Sequence, residues 1–377
     1  MLRLERLGAL AATVLLVAGC GGQLAGTGGG ANAPIRVDLI GTFSGQNADL
    51  GNWAWNGVKL AVDQANARGG IDGRKIQLER LDDQGQPTVG TDLAKRAVSD
   101  HAVLVYGSDL STVTLAMIPI LTAARIPEIT SGQAPAILQQ GSSYIFLDST
   151  TSAVFDQTLA DYLVEKRHLT SIAMITNNDA YGKGEHDSFL AELTRLGVRP
   201  TIDKVVTPDQ TDFTSVLTEI RATDPRVLFI GAEEVETGLI AKQARSLGIT
   251  ATFAGGAPMG TPTYIQTAGL AVAEGTIMTS PYLSNDANAK TRAFAAAYRK
   301  AYGQEPELHG AKAYDGMSVF IQAMRRTPTD LSGPRLIAAV RSIDYDGLLG
   351  HFKFDEQGLG LHATQVGVIK DGKVVPV

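Results

Sequence analysis

The segment Tyr106-Gly107-Ser108-Asp109-Leu110-Ser111-Thr112 sets hydroxyls and an acid at a junction between an apolar run and a helical one. Ser111 and Thr112 fall near the start of that helix. A helix start exposes unpaired N–H groups and the positive end of the dipole. Hydroxyls there either complete an anion pocket suited to a carboxylate or cap the helix; both roles stay open. The next strand end, Ser131-Gly132-Gln133, offers further hydrogen-bond partners. Thr176–Tyr181 presents Asn177, Asn178, Asp179 and Tyr181 before a glycine turn, and Gly231-Ala232-Glu233-Glu234 puts two carboxylates at another strand end. Those carboxylates either meet a cation or amine, or start the following helix near its positive dipole. Trp53 and Trp55, the only tryptophans, line a cleft or pack in a core.

Enzyme chemistry has little support. There is no G-x-S-x-G elbow, no P-loop and no H-E-x-x-H. Gly26–Gly30 (GTGGG) precedes the first strand instead of following it, which breaks the dinucleotide fingerprint. His101, His168, His186, His309, His351 and His362 show no metal-ligand spacing. Asp82-Asp83 and Phe354-Asp355-Glu356 read as loop and turn chemistry, since neighbouring acids on a strand point to opposite faces. No catalytic residue, cofactor or metal is expected.

These loops need a scaffold. The chain has 377 residues, 44% hydrophobic and 19% charged, enough for two domains. A net charge of -6 without any Lys/Arg block argues against a nucleic-acid partner. Arg3 and Arg6 precede the uncharged run Leu7–Gly19, too short to span a bilayer, which reads as a secretory signal. Leu16-Val17-Ala18-Gly19-Cys20 resembles a bacterial lipobox, in which the cysteine is acylated and becomes the mature N-terminus. Cys20 is the only cysteine, so lipidation is its expected role. Gly21–Pro34 reads as a flexible tether. The expected location is therefore the extracytoplasmic face of the cell membrane, held by lipid.

From Pro34 onward, short β-rich runs alternate with amphipathic helical runs. Strands are expected at Ile35–Gly41, Lys75–Leu81, Ala102–Tyr106, Ile126–Thr130, Ser171–Ile175, Arg226–Ile230 and Ala251–Ala254. Helices are expected between them, including Gly51–Arg68, Leu110–Ala124, Phe155–Lys166, Gly184–Leu196 and Val235–Leu247, then Lys290–Tyr302 and Ala311–Arg325. Such alternation predicts an α/β fold of parallel sheets covered on both faces by helices. Ligands then bind beyond the carboxyl ends of the strands, where the polar loops lie.

Several long motifs carry a family resemblance in order and spacing: Gly57–Gln84 (GVKLAVDQANARGGIDGRKIQLERLDDQ), Ala180–Gly184 (AYGKG), Thr211–Gly231 (TDFTSVLTEIRATDPRVLFIG), Ala241–Ile249 (AKQARSLGI) and Phe354–Gly358 (FDEQG). Together they resemble the type I periplasmic solute-binding proteins of ABC importers, in the branched-chain (Leu/Ile/Val) amino-acid-binding branch, over about Ile35–Ile369. The resemblance implies two Rossmann-like parallel-sheet lobes joined by a three-crossing hinge. Residues 34–150 with 282–364 would form the N-lobe, and 151–281 with 365–377 the C-lobe, after a signal peptide (1–19) and a lipidated tether (20–33). It also implies a monomer that captures a small-molecule solute between its lobes and docks on importer permease subunits.

Carried over by position, the family's carboxylate-binding serine falls on Ser111 and its cleft tyrosine on Tyr181. Ser131 opens the family's Ser-Ala-Thr segment, whose threonine is replaced by Gln133. A second cleft tyrosine is replaced by Glu233, and the ammonium-binding glutamate by Ala257. A first-loop aromatic corresponds to Leu50, and a late cleft aromatic falls near His309. A buried ammonium without an acid is costly. Either Glu233 takes over that charge, and the ligand is an amino acid or related amine, or the ligand lacks an α-ammonium. In the second case it is an amide, a urea-like compound, an organic or aromatic acid, or a polyol contacted by Asp109, Gln133 and Glu233. A ligand sensor for a membrane signalling partner would use the same binding chemistry.

Overall fold

The computed structural model describes residues 33–282, 288–361 and 364–377. Cys20, the signal and almost all of the tether lie outside the described residues.

The first lobe starts with β1 (Ile35–Gly41), α1 (Ala48–Ala67), β2 (Ile76–Asp82), α2 (Pro87–Ser99), β3 (Leu104–Tyr106), α3 (Ser111–Ala124), β4 (Glu128–Thr130) and β5 (Ile145–Leu147). These strands form one parallel sheet in the order β2-β1-β3-β4-β5. Side chains alternate across a strand, and β1 uses both faces. Val37 and Leu39 pack with Val58 and Ala61 of α1, while Ile40 packs with Ala94 and Ala97 of α2 and Met117 of α3 on the other face. β1 was legible from Ile35, Val37, Leu39 and Ile40, although Arg36 and Asp38 interrupt the apolar run.

The second lobe runs through α4 (Ser152–Asp161), β6 (Ile172–Asn177), α5 (Ala180–Arg195), β7 (Ile202–Val206), α6 (Thr214–Ala222), β8 (Val227–Gly231), α7 (Glu234–Ser246), β9 (Thr252–Gly255), α8 (Pro262–Ala268), α9 (Leu270–Ala273) and β10 (Ile277–Ser280). The chain then returns to the first core with α10 (Ala289–Tyr302), α11 (Leu308–Arg326) and α12 (Gly333–Arg341), whose Phe294, Phe320 and Val340 pack with the β1 cluster. A short ribbon, β11 (Tyr345–Asp346) with β12 (His351–Phe352), follows. Last come β13 (Gln365–Lys370) and β14 (Lys373–Pro376), which join the second sheet in the order β14-β13-β10-β9-β8-β6-β7.

This second sheet is parallel from β10 through β7, as expected, and carries an antiparallel edge. β13 runs antiparallel to β10, with Ser280 opposite Gln365, and β14 antiparallel to β13. A hairpin closing on Asp371-Gly372, both at positive φ, folds the chain end back on the sheet edge, where no crossover helix is required. β7 was missed because its exposed, partly charged sequence (IDKVV) lacks an apolar run. α5 begins four residues earlier than expected, because Asp179 caps it by accepting from the Gly182 amide at 2.7 Å.

Helices α1 and α11 approach so closely that a Cβ on Gly57 would stand 2.1 Å from the Gly310 carbonyl oxygen. That contact seats the start of α11, and with it His309 and Lys312, against the strand ends.

Candidate functional site

The C-terminal ends of β1, β3 and β4 form the floor of the cleft. Ser111 is the first residue of α3, and neither it nor Thr112 is the N-cap; that position belongs to Leu110, which offers no capping side chain. The Ser111 hydroxyl oxygen accepts from the Gln133 and Ala134 amides at 3.1 and 3.2 Å. Its own proton is thus left to donate beside the uncapped helix start. Gln133 therefore meets Ser111 through its backbone.

Behind Ser111 lies a charged network. Asp83 accepts from Thr42 Oγ1 at 2.7 Å and Ser108 Oγ at 2.5 Å. Asp148 accepts from Ser131 Oγ at 2.7 Å and from the Tyr106 hydroxyl. Lys312, fully buried on α11, donates to the Ser131 carbonyl at 3.2 Å. Asp109 is buried and neither of its oxygens has a hydrogen-bond partner. Burial and then the neighbouring Asp83 push its carboxyl up to about 8, against the pull of Lys312.

The second lobe faces this floor with acids. Tyr181 lies in the first turn of α5, not in a loop, and its hydroxyl is buried. Glu185 follows one turn later on the same face and is fully buried. A Cβ built on Gly256 would stand 2.7 Å from the Tyr181 hydroxyl and 2.8 and 3.0 Å from the two Glu185 oxygens. The bare glycine leaves these three atoms room. None of them has a partner of good hydrogen-bond geometry. Burial raises Glu185 to about 8. Asp156 of α4 is pushed well above the carboxylate range by burial and then by Glu185. Glu233, the N-cap residue of α7, rises the same way through burial, with Asp179, Glu234 and Glu236 adding to it.

Side-chain bonds join the lobes across the cleft, beside the Ser152 amide's bond to the Gln133 carbonyl at 2.9 Å. Thr112 Oγ1 accepts from the Ala180 amide at 3.1 Å. Thr263 Oγ1 donates to Asp49 at 2.6 Å. His309 Nε2 pairs with Glu234 at 3.1 Å, while its ring stacks on Trp53 with centroids 5.7 Å apart. Trp53 therefore serves the cleft.

Two expected positions fall elsewhere. Leu50 is a core residue packed with Ile40 and Leu81, so it offers nothing to a ligand. Ala257 lines a separate cavity of about 550 Å³ with Ile265, Tyr282, Glu307 and Leu308, and none of Asp109, Ser111, Tyr181 or Glu233 borders it. Asp156, Glu185 and Lys312 were missed in the sequence. Their signal was a charge inside an apolar stripe: Glu185 shares the buried face of α5 with Tyr181, Phe189 and Leu193. Among the described residues no group of His, Cys, Asp and Glu is set to hold a metal, and no helix is long and apolar enough to cross a membrane.

Two α/β lobes facing each other across buried polar groups define a type I solute-binding protein. The chain belongs to the periplasmic binding protein family, whose model matches residues 34–373. An amino acid binding protein of Pseudomonas aeruginosa is 30% identical over 288 residues, covering 75% of this chain and 76% of that protein. The branched-chain amino acid transporter substrate-binding protein LivJ of Streptococcus pneumoniae, solved in complex with isoleucine, is 25% identical with a TM-score of 0.83, covering 90% and 97%. A solute-binding protein of an ABC transporter from R. palustris, in complex with benzoate, shares the fold at 21% identity and a TM-score of 0.84, covering 91% and 95%. The family is one of solute-binding transport proteins rather than enzymes.

Proposed function

We propose that this protein captures a small amine-bearing solute, an amino acid or a close relative, between its lobes and delivers it to the permease of an ABC importer. The observation carrying this is the polarity of the cleft. The first lobe offers the Ser111 hydroxyl and an uncapped helix start, suited to a carboxylate. The second offers Tyr181, the Glu233 carboxyl at the start of α7 and the buried Glu185 carboxyl, suited to an ammonium. Glu233 thus supplies the acid that Ala257 lacks. Bonds made by both lobes exist only when they meet, so a ligand bridging them shifts the open–closed equilibrium toward closure.

The benzoate complex of the R. palustris protein keeps a second reading in view, an aromatic-acid ligand. An anion would be met by the protonated forms of these raised carboxyls, whereas an ammonium pairs with the ionised acids, so the two ligand classes differ in the protons released on binding. A thermal-shift screen of amino acids, amides, urea-like compounds, aromatic acids and polyols separates the two. A ligand at a hundred times its Kd stabilises by about 2.7 kcal/mol. Amino acids should raise the melting temperature, and Glu233→Gln should weaken them about tenfold or more. Unchanged amino-acid affinity in that variant would refute the role of Glu233; a response to aromatic acids alone would refute the amine reading.

The lipobox-like Leu16–Cys20 supports anchoring at the membrane through lipid on Cys20. Membrane fractionation checks it: Cys20→Ser should release the protein, and retention of lipid by that variant would refute the anchor.

A further inference from the structure

We propose that the cleft holds a second cationic subsite, formed by Asp156, Glu185 and the Tyr181 hydroxyl, and that the captured solute is therefore basic, carrying an additional ammonium or guanidinium group beyond the one that Glu233 receives. This rests on the capture of an amine-bearing solute proposed above and extends it to the ligand's net charge.

Buried carboxyls gather around one hydroxyl, that of Tyr181. The Tyr181 hydroxyl and both Glu185 oxygens converge on the Cβ position of Gly256, and Glu185, Glu233, Asp156 and Glu234 all raise the Tyr181 pKa after burial. The charges acting on Asp156 are Glu185 and Glu192, and on Glu233 they are Asp179, Glu234, Glu236 and Glu185. The cations nearest in sequence turn outward: Lys183 pairs with Asp187, and His186 reaches Asp203 at 3.0 Å. Across the cleft, His309 is taken by Glu234, and Lys312 serves Ser131 and the Asp109–Asp148 pair. Glu236 is occupied by Asn177 and the Asp209 amide, both at 2.6 Å.

A zwitterionic amino acid brings one positive group. With Glu233 satisfied, Asp156 and Glu185 would remain buried with all four oxygens unpaired, a costly state for two facing acids. Two hydroxyls point to an absent donor-rich partner as well. Ser152 Oγ is buried without a hydrogen-bond partner, and the buried Tyr181 hydroxyl reaches only toward Glu185, without good hydrogen-bond geometry. Ser152 lies one turn before Asp156 on the buried face of α4, and its hydroxyl comes within 3.1 Å of the position a Cβ would take on Gly184, next to Glu185. A group with several N–H donors satisfies these atoms together. A cation seated there favours the ionised acids, so each bound ligand displaces the protons they hold near neutrality.

The test is calorimetry and thermal shift on the full chain with L-arginine, L-ornithine, putrescine, L-leucine and benzoate. Arginine or ornithine should bind at least tenfold more tightly than leucine. Titrations in buffers of different ionisation enthalpy should show proton release, with affinity rising from pH 6 to pH 8. Glu185→Gln should lower affinity for the basic solutes at least tenfold and reduce the proton release. Glu185→Leu guards against misfolding: it should melt at or above the wild-type temperature when empty, yet lose the preference for basic solutes. Leucine bound as tightly as arginine, with no proton release, would overturn the subsite and leave amino-acid capture standing. A panel in which no amine shifts the melt would overturn both.

Discussion

Asp109 shows how the site holds acids that water would normally claim. Its carboxyl is buried between Asp83 and Lys312 and titrates at about 8. A folded-state value raised above the usual one near 3.8 means the folded protein binds the proton more tightly than the unfolded chain. Its contribution to stability is complete below the unfolded value and drains away as pH rises through about 8. Glu185, also near 8, acts in the same direction. The empty protein should therefore melt higher at pH 5 than at pH 8, and Asp109→Asn should flatten that slope. Differential scanning fluorimetry across this range checks it; a slope unchanged in the variant would remove Asp109 as its source. The same residues show what sequence reasoning reaches. Ser111, Tyr181 and Glu233 stood out in the sequence because strand ends and helix starts mark where ligands bind, and His309 only through the family resemblance. Asp156, Glu185 and Lys312 were not, because a charge within an apolar helix stripe looks like an interruption until the facing helix is known.

Among elements, the α1–α11 pair matters most. Gly57 allows the two helices to approach backbone to backbone, and an added methyl would meet the Gly310 carbonyl oxygen at 2.1 Å. Gly57→Ala should cost about 2 kcal/mol through overpacking, read by urea denaturation, and should weaken ligand binding because α11 carries His309 and Lys312. A neutral result would mean the helices shift apart freely. Element legibility followed burial. β8, buried on both faces, was evident as an apolar run, and β1 by its spaced Ile35, Val37 and Leu39. β7, exposed and polar, was hidden, as were the antiparallel β13 and β14, whose pairing is set by sheet neighbours far away in sequence.

For the whole molecule, side-chain bonds span the cleft. Thr263 to Asp49, Thr112 to the Ala180 amide and His309 to Glu234 cross the cleft. Thr263 lies away from the acids around Tyr181, so Thr263→Val removes one latch and leaves the ligand's own partners in place. It should raise the dissociation rate about five- to tenfold, in line with one lost hydrogen bond, with little change in association. Stopped-flow displacement measures both; an unaltered dissociation rate would show that this latch does not hold the lobes.

The pairing of Ser280 with Gln365 has a mechanical meaning. The strand leaving the second lobe and the strand re-entering it lie side by side, tied by a backbone ladder. Two joined strands resist sliding and shear far better than two separate ones. They act as an axle, so the lobes are restricted to swinging about a single line. A motion with one degree of freedom needs only one ruler: a single pair of fluorophores, one on each lobe, would follow the complete working cycle.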